Sequence, residues 1–107
     1  MDITIRDSGE KKFIAVNGEI DLFNVADFKK TLFQLTEGEF SSIIVDMKNV
    51  SYIDSSGIGV LVAGQKKMRA HSGQFALVNV GEDVHNILKL ATLDKFFKIY
   101  MNESEIL

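Results

Sequence analysis

Three short runs in this chain are apolar at every position: Phe13-Ile14-Ala15-Val16, Ile43-Ile44-Val45 and Phe75-Ala76-Leu77-Val78. A strand with one face in water alternates apolar and polar residues, so a run without alternation needs cover on both faces. The runs are too short for helices, and their β-branched and aromatic content suits strands. Between them the pattern changes to a helical period. From Phe23 to Thr36 the residues Val25, Phe28, Leu32 and Leu35 fall on one stripe, with Gly38 as a stop. A second helix opens at the serines within the segment Tyr52 to Gly64 and ends near His71 at Ser72-Gly73, with Leu61, Val62 and Met68 on a stripe from Ile58. Glu82 and Asp83 suit the first turn of a third helix, where the dipole favours acids, and Val84, Ile87, Leu88 and Ala91 form its apolar face.

The remaining pieces are smaller. Ile3 and Ile5 alternate with Thr4 and Arg6 as in an edge strand, and Asp7-Ser8-Gly9-Glu10 is a turn cluster. Asn17-Gly18-Glu19-Ile20-Asp21 closes the second strand and leaves two carboxylates, Glu19 and Asp21, on a loop. Asp46 to Val50 is the turn after the third strand, Phe97-Lys98-Ile99-Tyr100 a closing strand, and Asn102 to Leu107 a tail, either loose or a last helical turn. The order β-β-α-β-α-β-α-β predicts an α/β fold with a mixed, mostly parallel sheet and right-handed crossovers. One domain spans residues 1–107.

Composition narrows the function. A net charge of −3 argues against nucleic acid, whose binding domains carry a basic surplus. The absence of Cys removes thiolate nucleophiles, Cys-ligated metals and disulfides. No apolar run approaches the ~18 residues of a membrane span, and the start MDITIRDSGEKK has no signal-peptide core. The expectation is a cytoplasmic protein without a membrane partner, metal or cofactor.

The stretch YIDSSGIGVLVAG, Tyr52 to Gly64, carries the chemistry: an acid, two hydroxyls and two glycines at the mouth of a helix. A catalytic serine needs a base beside it. His71 lies at the far end of the same helix, roughly 24 Å away at 1.5 Å per residue, and His85 reads as a surface residue among acids. The G-x-S-x-G spacing is also missing, so no catalytic residue is assigned. A phosphate-cradling loop fails for other reasons: Gly57-Ile58-Gly59 is followed by Val62 where a third glycine belongs, no Lys is at the turn, and Asp54 would repel a polyphosphate. Two readings are left. In one the segment is an ordinary helix cap, worth about 1 kcal/mol, which explains one of the three capping residues. In the other a serine accepts a phosphoryl group, gaining about −1.5 to −2 charges at a helix terminus with free N–H groups and a favourable dipole, beside Asp54 and, where the sheet brings the loops together, near Glu19 and Asp21.

The segment Ile53-Asp54-Ser55-Ser56-Gly57-Ile58-Gly59 resembles the signature loop of STAS domains, and specifically of bacterial anti-sigma-factor antagonists. Val16 to Asp21 is similar to their second strand and acidic loop, Ile44 to Val50 to the strand and turn before their phosphosite, and Leu93 to Ile99 to their closing segment. Thr92, where many members have Gly, and Ile58, where Leu is common, depart from the pattern. The resemblance implies a STAS-type fold and a switch. The unmodified antagonist binds an anti-sigma factor that is also a serine kinase, phosphorylation releases it, and a PP2C-type serine phosphatase resets it. ATP and metal belong to those partners. Carried onto this sequence, Ser55 is the phosphorylated residue. Asp54 positions the loop, Ser56 is the helix cap or an auxiliary contact, and Gly57 and Gly59 let a partner approach the backbone. Ile58 is a partner contact or core anchor, and Glu19 and Asp21 flank the docking surface. The alternative within the family is an adaptor in stress-sensing, chemotaxis-linked or lipid ABC transport assemblies. Outside it stand a small hydrolase or a nucleotide-binding protein.

Overall fold

Side by side in one sheet, the three apolar runs form the middle of a computed structural model that describes residues 1–38 and 41–106. Among the described residues the elements are β1 (Asp2–Ser8), β2 (Lys11–Ile20), α1 (Val25–Thr36), β3 (Ser42–Ile53), α2 (Ser55–Ala70), β4 (Gln74–Val78), α3 (Glu82–Leu90) and β5 (Lys98–Tyr100). A 3-10 turn at Glu103–Glu105 follows, so the described part of the tail is ordered as a helical turn. The sheet order is β1-β2-β3-β4-β5. β1 runs antiparallel to β2 through a two-residue turn at Gly9 and Glu10, with Gly9 at φ +64°, and the other neighbours pair in parallel.

The absence of alternation has its expected cause, but the two faces are covered differently. Ile14, Val16, Ile43, Val45, Phe75 and Leu77 face one large core that also takes Phe28 and Leu32 of α1, Leu61 and Met68 of α2, and Val84 and Leu88 of α3. Phe13, Ile44, Ala76 and Val78 form a smaller cluster on the opposite face, under Tyr100 and Ile106. The tail is held there by the ion pair of Arg6 with Glu103 (2.5 Å) and by Lys11, which donates to the Ile106 carbonyl. All three helices therefore share one side of the sheet, and the closing segment covers the other.

Several boundaries differ from the sequence reading. α1 begins at Val25, not Phe23. Ala91 is exposed, beyond the end of α3. The largest difference is β3, which does not stop at Val45 but continues for eight more residues, with Met47, Val50 and Ile53 buried. Burial at every third position hides a strand from a search for period two. Its origin is a pair of register shifts against β2: Ala15 and Asn17 oppose Asp46 and Asn49, and Gly18 and Glu19 oppose Val50 and Tyr52. At each shift β3 holds one extra residue, a bulge that turns the next side chain inward. The Asp46 side chain supports the first of them by accepting from the Lys48 amide (3.0 Å) and from Asn79 Nδ2 (3.1 Å). β2 is lengthened by the same pairing to Ile20, so Glu19 lies on a strand and not on a loop.

Two helix ends share one device. At α3 the Thr92 amide donates to the Lys89 carbonyl (3.0 Å) and the Leu93 amide to that of Leu88 (2.8 Å), the Schellman pattern. Thr92 must then be left-handed, at φ +58°. Ser72, at φ +63°, does the same for α2. A β-branched residue is strained there, by about 1–2 kcal/mol, whereas Gly is not. Thr92→Gly is expected to stabilise the protein by about 1 kcal/mol in urea unfolding; a destabilised variant would contradict the assignment of strain.

Candidate functional site

The site is built where β2 and β3 end together. Ile20 and Ile53 are paired neighbours, both fully buried, and the Asp54 amide donates to the Ile20 carbonyl (3.1 Å). The chain thus leaves the sheet at two adjacent points, into the 21–24 loop from β2 and into α2 from β3.

Asp54 is the N-cap of α2, with extended backbone at φ −98° and ψ −176°. Its Oδ1 accepts from the amides of Ser56 (2.9 Å) and Gly57 (3.2 Å) and from the Ser56 hydroxyl (2.5 Å). Oδ2 faces the other way and accepts from the Leu22 amide (3.0 Å). One carboxylate therefore closes the helix and ties down the neighbouring loop. These donors hold its pKa below the ordinary aspartate value, with the Ser56 hydroxyl the largest influence and the Gly57, Leu22 and Ser56 amides adding to it against some desolvation.

The two serines separate clearly. Ser56 is half-buried and its hydroxyl is committed to Asp54, so it is not the cap but a donor to the cap. Ser55 is exposed on the first turn and its hydroxyl makes no hydrogen bond with any described residue. Asp54 has already taken two of the N-terminal amides, so the free N–H groups expected for a phosphate are mostly occupied.

The glycines divide in the same way. A Cβ on Gly57 would come within 2.6 Å of Ile53 Cγ1 and 2.7 Å of Ile20 Cγ2. Both isoleucines are immobilised in the core, so the crowding would cost on the order of 1–3 kcal/mol. Gly57 lets the helix sit against its own strand ends and is buried, which corrects its reading as a point of partner approach. Gly59 is exposed, and nothing lies within 4 Å of its would-be Cβ. Ile58 is half-buried against the core.

The 21–24 loop is made of side chains folded onto its own backbone. Asn24 donates to the Glu19 carbonyl (2.8 Å) and accepts from the Asp21 amide (2.9 Å). Asp21 Oδ1 accepts from the Phe23 amide (2.9 Å). Asp21 is thus a turn former as well as a charge, while Glu19 is exposed opposite Tyr52. The structure brings Asp21 and Asp54 to the two ends of the Leu22-Phe23 pair, 72% and 97% exposed. The sequence reading missed Leu22, Phe23 and Asn24 by assigning Phe23 to the helix. Phe23 falls off the apolar stripe, and Asp21 to Asn24 has the composition of a side-chain-closed turn, which were the available signals. His71 stands at the far end of α2, and no helix among the described residues is long and apolar enough to cross a membrane.

Comparison with known proteins agrees with this geometry. The family profile described as STAS domain matches residues 2–106. A Thermotoga maritima protein named as a candidate anti-sigma factor antagonist is 37% identical over 91 residues, 83% of this chain and 80% of its own. A crystal structure from Thermotoga maritima, under the same description, superposes with a TM-score of 0.91 at 30% identity, covering 97% of this chain and 90% of that one. The anti-sigma factor antagonist SpoIIAA shares the fold in its unphosphorylated form (TM-score 0.80, 22% identity, 98% and 93% covered). The phosphorylated form, from Bacillus, shares it too (TM-score 0.75, 20% identity, 98% and 96% covered).

The Asp54 hydrogen bonds carry a pH signature. A carboxyl whose folded pKa is lowered stabilises the fold fully above its unfolded value, and that contribution is lost as pH falls through the folded value. The stability gap between the wild type and Asp54→Asn should hold steady from neutral pH to about pH 5 and close below about pH 4. Urea unfolding across that range measures it, and a gap unchanged in acid would contradict the role of the ionised carboxylate.

Proposed function

The chain belongs to the STAS-domain family, and from that membership we propose that it is an anti-sigma factor antagonist switched by phosphorylation of Ser55. Unmodified, it binds an anti-sigma factor serine kinase. Phosphorylated, it is released, and a PP2C-type serine phosphatase returns it to the binding state. The protein itself is a binding module and not an enzyme, acting in the cytoplasm.

The observation that carries this reading is the difference between the two serines. Phosphoryl transfer needs an acceptor oxygen free to approach the γ-phosphate in line. Ser55 is exposed and its hydroxyl is uncommitted, whereas that of Ser56 is held at 2.5 Å by Asp54. A phosphate on Ser55 would add about −1.5 to −2 charges to the edge already occupied by the ionised Asp54. The helix dipole favours charge there by roughly 0.3–1 kcal/mol, so the modification need not unfold α2. Two of the N-terminal amides are engaged by Asp54, so little draws the phosphate back onto the helix, and its charge is presented outward. A partner surface matched to the unmodified loop then meets added negative charge that must be desolvated. Asp54, Ser56 and Gly57 hold the loop, while Glu19, Asp21, Ile58 and Gly59 lie around it as contact positions.

Purification from native cells, followed by intact-mass measurement and phosphosite mapping, tests the assignment. Phosphate is expected on Ser55 and absent from Ser56, with the kinase co-purifying with the unmodified form and with Ser55→Ala. Phosphate on Ser56, or equal retention of the kinase by both forms, would overturn it.

A further inference from the structure

The most exposed aromatic residue of the site is unexplained by the switch. Phe23 is 97% exposed and Leu22, beside it, 72%. Isolated apolar side chains on a surface are common, but these two are adjacent and carried on a backbone that is held in place. Each of their amides is held by a carboxylate, Leu22 by Asp54 (3.0 Å) and Phe23 by Asp21 (2.9 Å). Asn24 fixes the far side of the loop through Glu19 and Asp21. A loop tied this tightly has its backbone already ordered, so binding through its apolar side chains has that part of the ordering cost removed in advance.

We propose that Leu22 and Phe23 form the hydrophobic anchor of the kinase interface, with Phe23 entering an apolar pocket on the kinase whose rim carries Lys or Arg. This deepens the functional reading above and rests on it. The choice of occupant follows from continuity and charge. The anchor hangs on Asp54, the residue next to the phosphoacceptor, which holds the Leu22 amide at 3.0 Å, so the pair adjoins the surface that a partner covering Ser55 meets. The acids flanking the pair, Asp21 and Asp54 with Glu19 on the adjoining strand end, complement a cationic rim and disfavour a second copy of the same acidic loop. An aromatic side chain brings about 150–250 Å² of contact and is the residue type in which interface energy concentrates. The arrangement also accounts for reversibility. Affinity comes from an apolar knob on a fixed loop, and the phosphate places charge that must be desolvated at the edge of the surface the knob needs to bury.

The test uses the full chain and the kinase purified from the same cells as the enzyme that phosphorylates Ser55. Isothermal titration with ADP present compares the wild type with Phe23→Ala, Phe23→Leu and, as an exposed control at the end of α3, Leu90→Ala (Leu90 is 87% exposed). Phe23→Ala should weaken binding tenfold or more, Phe23→Leu less, and Leu90→Ala not at all. The unfolding temperatures should be unchanged, because Phe23 packs against nothing that folding requires. If Phe23→Ala binds within twofold of the wild type, the anchor is wrong while the switch stands. If the wild type does not bind the kinase, the switch itself fails and the anchor with it. If Phe23→Ala instead abolishes self-association in sedimentation and leaves kinase binding intact, the occupant is a second copy and the proposal is overturned.

Discussion

Everything at the functional end of this molecule depends on the two oxygens of one carboxylate. Asp54 Oδ1 accepts from the Ser56 and Gly57 amides of α2 and from the Ser56 hydroxyl, and Oδ2 reaches across to the Leu22 amide. A cap alone would require the first set of contacts. The second makes the residue a joint between two segments far apart in sequence, the start of a helix and the exit from a strand. It also decides which serine is available, because engaging Ser56 leaves Ser55 free. The joint is rigid because its support is rigid: Ile20 and Ile53 pair beneath it, and Gly57 allows the helix to rest on both.

The sheet delivers that joint to its place by an irregular route. β3 is twelve residues long and carries two extra residues relative to β2, one near Asp46 and one near Ser51. Without them strict alternation would set the facing of the residues before Asp54. With them Val50 turns inward in place of Asn49 and Ser51, and the strand still ends on a buried isoleucine, Ile53. The Asp46 side chain makes the first bulge tolerable by binding the Lys48 amide that β2 cannot reach in register. Two acids eight residues apart thus perform the same service, each accepting backbone donors that the regular structure leaves over.

How much of this was legible in the sequence follows from which signals are periodic. The apolar runs and helical stripes repeat at fixed intervals, so the order of elements, the mixed sheet and the core positions Phe28, Leu32, Leu61, Met68, Val84 and Leu88 could be read directly. The second half of β3 could not, because bulges replaced period two with period three, and Glu19 was placed on a loop for the same reason. In the site, the types of residue and their order were legible, but the partition of labour was not. Whether Asp54 or Ser56 caps the helix depends on an angle of the backbone, and whether Gly57 faces a partner or the core depends on where two isoleucines end. Phe23 was lost because a helix start is set by the turn before it, and that turn is closed by Asn24 contacts with residues outside the helix.

A switch that works without refolding makes a structural demand. The phosphate must change the surface while Asp54 keeps its contacts. The direct measurement is a comparison of amide NMR spectra of the unmodified chain and a chain with phosphoserine incorporated at position 55. The account predicts shift changes confined to residues 20–24 and 53–59, with the Leu22, Ser56 and Gly57 amides remaining hydrogen-bonded and protected from exchange. Changes that spread through the buried residues of β3 and β4, or loss of protection at those three amides, would contradict it and make the switch a rearrangement of the fold.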